Sequence, residues 1–111
     1  MKKIISIALA LLMVAVMLPV MAMAEGTTLQ SRIDAGETTI TLTENVTESI
    51  TIPKDKTVTL NLNGNTLTNE ANKDTITVAL GGTLTIEGTG TVDNDSHGRA
   101  AVYNNGTVTI N

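Results

Sequence analysis

Beyond residue 24, apolar and polar residues alternate along the chain in short runs separated by Asn, Gly and Asp. Alternation with a period of two places apolar side chains on one face of an extended strand and polar side chains on the other. The pattern therefore predicts an all-β protein. The predicted strands lie at 38–43, 48–52, 57–62, 75–80, 83–86 and 107–110.

Equivalent positions in these strands recur at intervals of 24 or 26 residues. The interval of 26 relates Ile50, Ile76 and Val102, and it also relates Ile52, Val78 and Asn104. The interval of 24 relates Leu60, Leu84 and Val108, then Leu62, Ile86 and Ile110, and also Gly64 and Gly88. A fixed period in the twenties is typical of a solenoid, in which each strand pairs in parallel with its equivalent one period later.

A solenoid of this kind predicts which side chains point inward. The recurring aliphatic residues would stack in a narrow interior, while the threonines between them would form ladders on the outside. Asn104 is in register with Ile52 and Val78, so we expect it to point inward and to bond to backbone groups at a turn.

An antiparallel β-sandwich is the alternative fold. Asn63 and Gly64 lie between two alternating stretches, and Asn-Gly is the strongest short-range signal for a hairpin. The equal spacings and the absence of Phe and Trp favour the solenoid.

Residues 25–36 are predicted to form a short capping helix. Thr27 and Gln30 fit the two positions of a capping box. Leu29 and Ile33 share one helical face, and Gly36 would end the helix. The apolar face would cover the first turn of the solenoid, whose edge strands otherwise offer unpaired backbone groups to other chains.

Residues 1–24 have the layout of a secretory signal peptide. Two lysines precede an apolar run, and the segment closes on Ala22-Met23-Ala24, which matches the small-residue pattern of a cleavage site. An uncleaved membrane anchor is the alternative, and it would be the chain's only contact with a membrane. The expected location is therefore secreted or on the cell surface.

The remaining chain, residues 25–111, has five basic and eleven acidic residues, a formal charge of −6. Nucleic acid is excluded as a partner because phosphate binding needs clustered Lys and Arg, and here these residues are scattered singly. The chain has no Cys, so neither disulfides nor thiolate chemistry can contribute.

Three segments carry a resemblance to a known family. The run LQSRIDAGETTITLTENVTESITIPKDKTVTLNLNGNTLTN at 29–69 resembles the opening of secreted bacterial right-handed parallel β-helix proteins of the pectate-lyase-like superfamily. The specific parts of the resemblance are the capping helix, the run at 52–64 and AVYNNGTVTI at 101–110, which is similar to turns of large surface proteins and adhesins. The resemblance implies a right-handed parallel β-helix, but it does not select a chemistry, because the superfamily holds enzymes and non-catalytic stalks alike.

One polar cluster, residues 93–99, contains the chain's single His. Two Asp with His97 and Arg99 could serve acid–base chemistry on a uronic-acid polymer, or the two Asp could bind Ca²⁺. Asp, Asn, Ser and Gly are equally the residues expected in a turn, and the spacing does not match a calcium loop. We therefore assign no catalytic, cofactor-binding or metal-binding residues, and no cofactor.

The sequence favours a non-catalytic, exported structural or adhesive β-helix module of a bacterial cell-surface protein. The alternative is a polysaccharide lyase or glycoside hydrolase of the same fold with catalytic residues outside this chain. Residues 37–111 form the β-helix turns, and we expect them to be incomplete at the C-terminus. The candidate partners are an extracellular glycan or another surface protein, and the open C-terminal edge is expected to pair with further turns or another chain.

The leader prediction is tested by expressing the full chain in a bacterium. We expect the exported protein to begin at Glu25, as read by intact mass and N-terminal sequencing, because the peptidase requires small residues at both ends of the Ala22–Ala24 triplet. Ala24→Arg should leave the leader attached, whereas Met23→Gln, at the tolerant middle position, should not. An unprocessed wild-type chain in the membrane fraction would favour the anchor instead.

Overall fold

A computed structural model describes residues 27–96 and 98–111. The predicted signal peptide lies outside the described residues, as does His97. Within the described residues there are one helix and ten short strands, so the all-β class is confirmed. The helix α1 spans Leu29–Asp34. The strands are β1 Thr39–Thr41, β2 Val46–Thr47, β3 Ile50–Ile52, β4 Thr57–Asn61, β5 Thr66–Thr68, β6 Ile76–Val78, β7 Thr83–Glu87, β8 Thr91–Val92, β9 Val102–Asn104 and β10 Thr107–Ile110.

The strands form three sheets, and consecutive strands always belong to different sheets. Sheet A has the order β1-β4-β7-β10, sheet B has β2-β5-β8, and sheet C has β3-β6-β9. We call three consecutive strands, one from each sheet, a round. Every strand pair among the described residues is parallel and joins one round to the next. The antiparallel alternative is therefore wrong for this part of the chain.

Aliphatic side chains from the three sheets meet in a single core. Rows of inward residues follow the register, with Ile40, Leu60 and Ile86 in sheet A and Ile50, Ile76 and Val102 in sheet C. The core also includes Leu29 and Ile33 of α1. Burial of each such side chain contributes about 1.5–3 kcal/mol. The threonines between these residues occupy the outer face, as the alternating burial of β4 and β7 shows.

The interval of 26 residues is confirmed in sheet C, whereas the interval of 24 is wrong for the step from β4 to β7. Leu60 pairs with Ile86, not with Leu84, so this step also spans 26 residues. Only the step from β7 to β10 follows 24, with Leu84 paired to Val108. The cause is turn length: four residues separate β6 from β7, but only two separate β9 from β10.

The Asn-Gly turn forms, but it does not make a hairpin. Asn63 and Gly64 both have positive φ, 51° and 82°, and the N–H of Asn65 donates to the carbonyl of Leu62 at 2.9 Å. This is the turn that Asn-Gly favours. It leads from sheet A into sheet B because both edges of β4 are already paired, with β1 and β7.

Two local predictions need correction. The capping box uses Thr28 and Ser31 rather than Thr27 and Gln30, because the helix starts at Leu29. Asn104 accepts a hydrogen bond from the N–H of Gly106 at 2.8 Å, as expected of a turn cap. It is nevertheless exposed, since β9 is the last strand of sheet C and nothing described lies beyond it.

The corrected register is tested by disulfide formation, which the Cys-free chain allows without interference. Thr59→Cys combined with Thr85→Cys should form a disulfide on mild oxidation, because register partners lie about 4.8 Å apart. Thr59→Cys with Thr83→Cys is the matched control, with a diagonal separation of roughly 7–8 Å. Faster closure of the control pair, measured by free-thiol content and non-reducing mass spectrometry, would restore the interval of 24.

Candidate functional site

The described residues of the polar cluster, 93–96 and 98–99, lie against the equivalent loop of the previous round. Asn94 Nδ2 donates to the carbonyls of Lys73 and Ala100, both at 2.9 Å. The Ser96 N–H donates to Asn94 Oδ1 at 2.7 Å, and Ser96 Oγ donates to the carbonyl of Ala71 at 2.9 Å. Two of the cluster's polar side chains, Asn94 and Ser96, therefore satisfy backbone groups, as expected of a turn.

Asn69 occupies the position equivalent to Asn94 one round earlier. It is buried, and its Nδ2 donates to the carbonyl of Lys73 at 2.7 Å while its Oδ1 accepts from the N–H of Ala71. The N–H of Asp95 donates to the carbonyl of Asn69 at 3.1 Å. The interval of 25 between Asn69 and Asn94 equals that between the sheet B partners Leu67 and Val92. The interval of 25 is the sequence signal for this pair, and it differs from the intervals of 24 and 26 on which the predicted repeat was based.

The acidic residues of the cluster do not converge on one point. Asp93 and Asp95 are exposed. The carbonyl of Asp93 accepts a hydrogen bond from the hydroxyl of the fully buried Thr75 at 2.7 Å. Among the residues that the structure describes, no group of three His, Cys, Asp or Glu is placed to hold a metal ion. The arrangement of 93–96 and 98–99 thus supports a structural role for this loop.

A second set of polar side chains ties α1 to the first round. Glu48 lies just after β2, and its carboxylate accepts from the N–H of Leu29 at 3.0 Å and from the N–H of Gln30 at 2.9 Å. The first turn of α1 contains no acidic residue of its own. Glu48 therefore supplies the negative charge that the positive end of the helix dipole favours, and it satisfies two N–H groups that lack helical partners.

Gln30 closes the edge of β3. Its Oε1 accepts from the N–H of Thr51 at 2.7 Å, and its Nε2 donates to the carbonyl of the same residue at 3.0 Å. A side-chain amide thus makes the two hydrogen bonds that a neighbouring strand would make at this position. Together with the buried Leu29 and Ile33, it protects the first edge of sheet C.

The opposite edge, formed by β8, β9 and β10, is unpaired among the described residues. An apolar groove of about 590 Å³ opens there, lined chiefly by Leu62, Ile86, Val92, Val102 and Ile110. Ile110 follows Leu60 and Ile86 in the inward row of sheet A, yet its side chain is 70% exposed. The two ends of the core therefore differ: a helix packs against one, and aliphatic side chains are open to solvent at the other.

Comparison with known proteins does not identify this chain. No family model, curated protein or solved structure matches it. Within residues 27–96 and 98–111, no helix has the length and apolar character needed to cross a membrane. The resemblance to the pectate-lyase-like superfamily therefore stays a prediction.

The Glu48 contacts predict a specific loss of stability. Glu48→Gln removes the charge and one of the two acceptor oxygens, so we expect the free energy of unfolding to fall by about 1–2 kcal/mol, as for a lost helix cap. Urea unfolding measures this change. Glu44→Gln makes the same change in net charge at an exposed residue, and it should change the free energy of unfolding by less than about 0.5 kcal/mol. Equal effects of the two variants would contradict the capping role.

Proposed function

We propose that this chain is a non-catalytic, exported structural or adhesive module of a bacterial cell-surface protein, built as a right-handed parallel β-helix. The observation that carries the proposal is the in-register parallel pairing of each round with the next in all three sheets. Such pairing is what stacked turns of a solenoid produce. The right hand is supported by the rule that crossovers between parallel strands of one sheet are right-handed in about 98% of cases.

The distribution of side chains supports a structural role. The core cluster consists of Leu, Ile and Val, and the outer face of sheet A is dominated by threonine. Asn69, Asn94 and Ser96, which could otherwise serve a ligand, bond to backbone groups of the loops. The polar side chains of these loops therefore hold successive rounds together through hydrogen bonds, which suits a rigid stalk.

The unpaired edge of β8, β9 and β10 supports a further proposal, which concerns what pairs with the module at this edge. A parallel sheet can add another strand at an exposed edge, and the groove beneath this edge offers Ile86, Val92 and Val102 for the next layer of the core. The edge beside α1 is closed by Gln30 and the helix. We therefore propose that a further turn of the β-helix, or another chain, pairs at the β8–β10 edge.

A test for depolymerisation separates the non-catalytic module from an enzyme that uses the cluster at 93–99 for acid–base chemistry. We expect the purified chain to release no reducing ends and no unsaturated products from acidic or neutral polysaccharides. We also expect cells that display it to gain attachment to glycan-coated surfaces. Polysaccharide cleavage by the wild type that disappears in Asp95→Asn with His97→Ala would overturn the proposal. Asp55→Asn with Asn105→Ala, which removes one carboxylate and one polar side chain from two other exposed turns, is the control.

A further inference from the structure

A polar pocket of about 480 Å³ opens on the outer side of sheet C. Its floor includes Thr51 and Thr77, which are register partners on β3 and β6. Its wall is the loop that precedes β6, with Asn72, Lys73 and Asp74, together with Arg99 from the next round. The pocket is separate from the apolar groove at the β8–β10 edge.

The two cations of this pocket occupy equivalent positions in successive rounds. Lys73 precedes Ile76 by three residues, and Arg99 precedes Val102, the register partner of Ile76, by three residues. Successive rounds are spaced by about 4.8 Å, the distance between neighbouring strands. The two cations therefore lie on neighbouring rounds and line one pocket, and two nearby like charges favour the binding of an anion.

No carboxylate within residues 27–96 or 98–111 forms an ion pair with either cation. Asp74, the acid nearest in sequence, uses its Oδ1 to accept from the N–H of Ala100 at 2.8 Å. Arg99 donates from Nε to Asn72 Oδ1 at 3.1 Å, and its Nη groups donate to no acceptor among those residues. The pocket thus holds two positive side chains, one of them hydrogen-bonded to an amide, and one carboxylate, that of Asp74, which is engaged by a backbone N–H.

An aromatic residue continues the row of outward side chains that forms the pocket floor. Tyr103, the single aromatic residue of the chain, is the register partner of Thr77 and continues the outward row that starts at Thr51. Its side chain is half exposed. An exposed tyrosine ring offers a flat apolar face with a hydroxyl at its edge, which suits the C–H face of a sugar ring.

We propose that this pocket binds the acidic group of an extracellular carbohydrate, with Lys73 and Arg99 contacting a carboxylate or sulfate and Tyr103 packing against the sugar. Arg99 provides the planar pair of donors that recognises an oxyanion, and Lys73 provides a second positive charge. Thr51 and Thr77 add neutral donors at the floor. The site would provide the ligand-binding function of the proposed adhesive module. It rests on that proposal only for the extracellular location of the ligand.

The test compares three ligands that share one neutral core: sialyl-lactose, which carries a carboxylate, sulfated lactose and lactose itself. Binding to the purified chain is measured by NMR titration. We expect at least one acidic ligand to bind about tenfold or more tightly than lactose, since charge-assisted hydrogen bonds distinguish them. Tighter binding of one acidic ligand identifies its group, the carboxylate or the sulfate, as the one that the pocket prefers. Equal binding of the two acidic ligands shows that the pocket recognises the negative charge that they share.

Matched variants locate the site. Lys73→Gln with Arg99→Gln should weaken acidic-ligand binding about tenfold or more, whereas Lys54→Gln with Lys56→Gln, the same charge change in another turn, should leave it within about twofold. Tyr103→Ala should weaken binding, and Tyr103→Phe should retain it. Lys73, Arg99 and Tyr103 are all exposed, so we expect each variant to fold. Unfolding midpoints check this.

Three results would overturn the site: no preference for the acidic ligands over lactose, equal losses in the two lysine-containing variants, or no loss in Lys73→Gln with Arg99→Gln. These outcomes leave the non-catalytic module intact, because that proposal is decided by polysaccharide cleavage. Conversely, cleavage activity that depends on Asp95 and His97 would overturn the proposal of a non-catalytic module, while the binding result would remain valid.

Discussion

Parallel pairing between successive rounds is the constraint on which the rest of the structure depends. Parallel strands cannot be joined by a tight turn, so each pair requires the chain to visit two other sheets before it returns. The strands are at most five residues long, and they enclose a narrow interior. Aliphatic residues of similar size fill this interior row upon row, which explains a core without Phe or Trp.

The same structural position changes its partner from one round to the next. Glu48, Asn69 and Asn94 all follow the strands of sheet B at corresponding places in the register. In the first round the carboxylate of Glu48 binds the start of α1, where partial positive charge favours an anion. In the next two rounds an amide stands there, and it can both donate to and accept from the loop backbone. The first round is thus specialised for the helix and the later rounds for stacking.

Sequence patterns located the rows that repeat regularly and failed where turns vary. Ile50, Ile76 and Val102 were identified because the connections around sheet C keep a constant total length. The pairing of Leu60 with Leu84 was wrong because a two-residue turn shortens only the last interval. Sheet B was missed because its strands, of two or three residues, are too short for alternation to be visible.

Polar contacts outside the repeating rows could not be predicted from the sequence. Gln30 and Thr51 are 21 residues apart, and their pairing depends on where α1 packs. The candidate site has the same origin, since Lys73 and Arg99 are isolated charges in the sequence and neighbours only after the rounds stack. The outward strand faces are nearly uniform in threonine, so they offer little to distinguish one ligand from another. The turns, where successive rounds differ in length and charge, therefore supply most of the chemical variety on the surface of the described residues.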